Sequence, residues 1–139
     1  KQRIDILKNY IEDIYELYEK FYFQSKKEGI NEEFSEIDQQ EIVDYHKRLL
    51  KQVKRLDKFF VKFDKDKMEK IVSKVKENKD IENKYKLNRI DRIKSSSDGN
   101  DKSSEINQLH SQLMDVLKQV NIFINLIADA LIDLESEQL

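Results

Sequence analysis

The chain is predicted to be all-α, and three observations carry that reading. Among its 139 residues there are only two Gly and no Pro, so the usual turn and breaker residues of hairpins and loop-rich folds are almost missing. Charged residues make up 39%, rich in Lys and Glu and mixed with Leu and Ile at helical spacing. The apolar residues fall in long series of alternating three and four, the repeat of an amphipathic helix.

Four helices are predicted, over about 2–28, 35–63, 66–94 and 104–137, with a flexible linker over 95–103, all in one domain of 139 residues. The first reads Ile4, Leu7, Ile11, Ile14, Tyr18, Phe21 and stops at Gly29, with Ile30 beyond it as in a Schellman motif. Its stretch "YIEDIYELYEKFYF" holds six of the thirteen aromatic residues. All of these except Phe23 fall on one apolar arc of roughly 160°, opposite Glu12, Asp13, Glu16, Glu19 and Lys20. The stretch is therefore read as a core face, with Tyr18 in mid-arc and His46 as the candidate partner of its hydroxyl.

The second helix starts at Asn31 or Ser35, with Asp38 and Glu41 matching a capping box. Its seam is Ile42, His46, Leu49, Val53, Leu56, Phe60 and Phe63. The third opens on a second box, Asp66 with Glu69, and continues through Met68, Ile71, Val72 and Val75. "KENKDIENK" then offers almost no apolar residue before Ile90 and Ile93 return in phase, so the segment is read as one long helix, partly frayed. "SSSDGNDKSS" is a polar linker, and the fourth helix runs from Ser103 or Ser104 through Ile106, Leu109, Leu113, Val116, Val120, Phe123, Ile127, Ala130 and Leu134. Leu117, Ile124 and Leu131 form a second row beside it. Faces this wide meet two neighbours rather than one, which favours an antiparallel bundle of three to four helices with heptad-like packing over a two-stranded coil.

Charge is blocked along the chain. Residues 1–46 carry 6 basic and 12 acidic side chains, residues 47–94 carry 18 and 8, and residues 95–139 carry 2 and 8. On the second helix Lys47, Arg48, Lys51, Lys54, Arg55, Lys58 and Lys62 project away from the seam as a one-sign stripe, the candidate anion-binding surface. An anionic membrane, a nucleic acid or an acidic partner are its conceivable ligands, against the alternative of a solvated outer face. No aromatic residue interleaves it to stack bases, and no nucleic-acid-binding signature accompanies it. The second candidate surface is on the fourth helix. Ile122 and Leu126 sit one turn apart beside Asp115, Asp129 and Asp133, as a contact for a partner helix or a second copy, with Phe23 the comparable outlier on the first helix.

Chemistry is harder to place. "DKDKMEKIVSKVKE" begins like a calcium loop but sets Met68, Glu69 and Val75 where an oxygen ligand, Gly and a bidentate Glu belong. Val43 and Asn107 stand where the Glu of a di-iron Glu-x-x-His pair is required before His46 and His110. His46 is read as a seam residue and His110 as half-exposed at an arc edge. The serines cluster in the linker and at caps, and no Gly-rich phosphate loop occurs. No catalytic, cofactor or metal residue is assigned, no small-molecule substrate is evident, and no enzyme is expected.

The absence of Cys rules out thiolate-bound zinc and iron–sulfur. The uncharged run Gln119–Ala128 is too short to span a bilayer. A chain opening on Lys1 is expected to be an excised or processed piece, intracellular in preference to exported. The functional expectation is a non-catalytic interaction or scaffolding module of a larger assembly. The alternatives are an exported or surface-anchored helical protein of an AT-rich microbe binding a host ligand, and binding of anionic lipid or nucleic acid through the basic stripe.

Overall fold

The computed structural model describes residues 35–59, 62–95 and 104–137, together with Asn9, Glu12, Asp13 and Glu16. The described residues form three helices that pack against one another, without a strand: α1 over Glu36–Phe59, α2 over Lys65–Ser95 and α3 over Ser104–Glu137. Asn9, Glu12, Asp13 and Glu16 are helical and exposed, in keeping with a polar face on the first predicted helix. The rest of that helix, with Tyr18, Phe23 and the Gly29 stop, lies outside the described residues.

The starts of α1 and α2 show which side chain satisfies their orphan amides. Ser35 caps α1: its Oγ accepts the Asp38 N–H at 3.0 Å and its carbonyl accepts the Gln39 N–H at 3.1 Å. The box expected from Asp38 and Glu41 is therefore not the cap; both residues lie inside the helix and turn their carboxylates to Arg92. Asp64, rather than Asp66, caps α2, its carboxylate receiving the Lys67 N–H at 3.3 Å and its carbonyl the Met68 N–H at 3.0 Å. α1 is described as far as Phe59, and Lys62, Phe63 and Asp64 are no longer helical, so the helix ends short of residue 63. Phe63 folds back onto the core and tilts against Phe59 at 6.4 Å between ring centroids, and the new cap at Asp64 follows at once.

Cross-helix pairs fix the directions. Asp38 meets Arg92, Asp44 meets Tyr85, Arg48 meets Glu77 and Gln52 meets Ile71, so α1 and α2 run antiparallel. Arg89 with Asn107 and Val75 with Asn121 do the same for α2 and α3.

The buried rows differ in phase from those expected. On α1 the interior takes Asp38, Ile42, Tyr45, Leu49, Gln52, Leu56 and Phe59. Tyr45 and Gln52 replace His46 and Val53, which are half-buried beside them. On α3 the central row is His110, Leu113, Leu117, Val120, Ile124 and Ile127, so Leu117 and Ile124, the expected second row, are fully enclosed. Val116, Phe123 and Ala130 are half-buried flankers and Leu134 is exposed. The shift follows from the width of the faces: where both neighbouring rows are apolar, periodicity alone cannot choose the inner one.

α2 runs unbroken through "KENKDIENK". Its inner face changes character instead of ending: Met68, Ile71 and Val75 give way to Asn78, then to half-buried Glu82, Tyr85, Arg89 and Arg92. Ile90 and Ile93 do not return to the core; each is 40% exposed, because Arg89 and Arg92 hold the inward positions at that end.

Candidate functional site

The sequence singled out two surfaces, and the structure treats them differently. Ile122 and Leu126 lie on the outer face of α3, 40% and 45% exposed, one turn apart. Asp115, Asp129 and Asp133 on the same side are exposed too, and Asn125 donates to Asp129 at 3.4 Å across the pair. The result is an apolar step with an acidic border. Phe23 lies outside the described residues.

The basic stripe splits into two populations. Lys47, Lys51, Lys54 and Lys58 are exposed along α1, and Lys62 follows beyond its end, also exposed. The two arginines turn aside from this row. Arg48 pairs with Asp44 at 2.9 Å and reaches Glu77 of α2 at 3.6 Å, while Arg55 donates to Gln52 Oε1 at 2.9 Å. Tyr85 also donates to Asp44, at 2.5 Å. Partial burial pushes the Asp44 carboxyl up, but the hydrogen bonds from Tyr85 and Arg48 outweigh it and hold the group below its ordinary value. Burial, and then the same contact, raise the Tyr85 hydroxyl to about 12. Arg48 is thus part of the α1–α2 junction and is not a free anion ligand.

At the corner where α1 gives way to α2, sequence reasoning missed two contributors. A concavity of about 500 Å³ is lined by Arg55, Lys58 and Lys62 on one bank and by Lys67 and Lys70 on the other, with Phe59, Phe63 and Asp64 completing the wall. Lys67 and Lys70 were legible only once "KFDKDKMEK" is seen as a helical corner that brings both banks together.

The opposite end carries an ionic cluster that sequence reasoning did not foresee. Arg92 grips Glu41 with both terminal nitrogens, at 2.6 and 3.3 Å, and Asp38 at 2.5 Å. Arg89 approaches Asp38 at 3.4 Å and donates to Asn107 of α3 at 2.6 Å. These side chains are 11–25% exposed, so their charges are matched in a largely dry setting. His110 belongs here and is buried at 9% exposure, not half-exposed, because α2 covers that edge of α3 with Arg89 and its neighbours. Burial and the Arg89 charge lower its imidazole to about 4, with Asp38 opposing and Arg92 adding to the shift. Burial lowers His46 as well. A 250 Å³ cleft beside the cluster is lined by Glu82, Lys86, His110 and Lys118 among others, and burial raises Glu82. The enclosed Tyr45 hydroxyl is pushed up by burial and by the nearby Glu82 carboxylate.

Among the described residues no three His, Asp or Glu side chains converge as a metal-ion site, and no helix is long and apolar enough to cross a membrane. Compared with protein-family models, with curated proteins and with solved structures, the chain matches none.

Proposed function

We propose that this chain is a non-catalytic interaction module, an antiparallel helical bundle with heptad-like packing that docks a partner helix on the outer face of α3. The observation that supports this reading is the exposed pair Ile122 and Leu126, standing out from a helix whose Leu117, Val120 and Ile124 are wholly enclosed. Apolar side chains one turn apart make the anchor points of a helix-in-groove contact. The acidic border of Asp115, Asp129 and Asp133 selects a partner helix with basic residues beside its apolar seam. A non-catalytic role is favoured because the carboxylates of buried Asp38 and half-buried Glu41 are paired with Arg92, leaving them no free proton-transfer role.

The test is the double variant Ile122→Asp with Leu126→Asp. Circular dichroism and thermal midpoint are expected to stay at wild-type values while association, read by sedimentation velocity with a captured partner or a second copy, disappears. Unfolding of the variant would assign both side chains to the core, and undiminished association would move the docking face elsewhere.

A further inference from the structure

Cations are distributed unevenly between the two ends of the α1–α2 pair. At the Arg92 end and along the middle, Arg48, Lys74, Arg89 and Arg92 each have a carboxylate within ion-pair distance. At the corner, no ion pair among the described residues involves Arg55, Lys58, Lys62, Lys67 or Lys70. The one acid lining the concavity, Asp64, is committed to capping α2 through Lys67 N–H. Asp66 and Glu69, on the same turns as Lys67 and Lys70, are exposed and take no part in pairing them. Five like charges converging on a concavity repel one another, a standing cost that a bound anion would remove.

We propose that this corner is a binding site for a compact ligand carrying two or more phosphate groups. A single carboxylate cannot balance the excess of cations, whereas each phosphate monoester brings roughly −1.5 to −2 charge and three acceptor oxygens. The lysines supply rotatable point charges and Arg55, whose Nη1 already donates to Gln52, its remaining guanidinium donors, two donor types that phosphate oxygens accept well. Phe59 and Phe63 form an apolar floor that excludes water from one side and strengthens each contact. The 500 Å³ concavity is within the size range of small-ligand sites. The same chemistry is presented by a soluble polyphosphate and by a multiply phosphorylated lipid headgroup.

The experiment uses the full chain and two probes: inorganic tripolyphosphate followed by titration calorimetry, and phosphatidylcholine vesicles with or without a phosphatidylinositol bisphosphate, followed by flotation. Binding of tripolyphosphate with an affinity that falls as salt rises is expected. Additional flotation only with the phosphorylated lipid identifies a headgroup as the source, and tripolyphosphate binding without flotation identifies a soluble one. Lys58→Glu with Lys67→Glu, both exposed and outside the core, is expected to weaken binding at least about tenfold while leaving the helical circular dichroism unchanged. Lys47→Glu with Lys51→Glu, on the same stripe but outside the corner, is expected to change it less than about threefold. Equal losses in the two variants would reduce the site to a diffuse charge effect, and absence of binding by either probe at low salt would overturn it.

Discussion

Gln52 of α1 donates its side-chain amide to the backbone carbonyl of Ile71 in α2, at 2.9 Å and 1% exposure. Four residues further along α2, the Val75 carbonyl accepts the Asn121 amide of α3 at 3.1 Å. Two neighbouring helices thus clasp α2 on consecutive turns, each by a buried carboxamide within the apolar core. Such groups fix register, since a helix sliding by one residue would strand a buried amide.

Replacing Gln52 by Ala is therefore expected to cost about 2–3 kcal/mol, from the lost hydrogen bonds to the Ile71 carbonyl and from Arg55, and from the space left beside Leu49 and Leu56. Leu at the same position should cost about 1 kcal/mol or less, because it refills the volume and Ile71 keeps its intrahelical bond. Urea denaturation of both variants measures the difference.

The two caps separate rival helix starts. Ser35→Ala and Asp64→Ala should each lower stability by about 1 kcal/mol, while Asp66→Ala, in the first turn of α2 and exposed, should change it by less than about 0.5 kcal/mol. Thermal denaturation of the three single variants provides the comparison.

Arg92→Met would leave Glu41 and Asp38 largely buried with only Arg89 nearby. A loss of about 3 kcal/mol is expected, and combining it with Glu41→Gln should recover part of that loss. A double-mutant cycle by chemical denaturation reads the coupling directly.

His110 sets an acid dependence. Its folded value, about 4, lies below the ordinary value near 6.5, so the unfolded chain takes up the proton first. Stability contributed by the neutral imidazole is present above about pH 6.5 and is lost as pH falls towards 4, on the order of 3 kcal/mol in all. His46, lowered by burial, acts in the same direction; Glu82, raised by burial, acts oppositely as pH falls through its folded value. His110→Gln should flatten the stability profile across this window, measured as the slope of unfolding free energy against pH.

The helical class was legible in the sequence because a three-four alternation has few other solutions, but which of two neighbouring rows lies inside was not. What escaped it was mostly polar and inside. Gln52, Asn78 and Asn121 are 1–4% exposed, and a reading by amphipathic period sends such residues to solvent. Tyr45 lost to its neighbour His46 because adjacent positions on a wide face satisfy the period equally well. The pairing of Asp38 and Glu41 with Arg92 joins residues more than fifty positions apart and leaves no local trace. The stripe on α1 was visible, yet Lys67 and Lys70 belong to its corner only through the turn between two helices.

α2 has one further consequence for how the molecule opens. Its first half is held by Met68, Ile71 and Val75, and its second by Arg89, Arg92 and Tyr85. Burial of hydrocarbon is indifferent to ionic strength, whereas matched charges are screened by it. Amide exchange along this one 31-residue helix should accordingly divide near Asn78: amides before it released only with global unfolding, amides after it through a smaller opening that salt and acid bring closer. A single unbroken helix would then contain two cooperative units with separate melting behaviour.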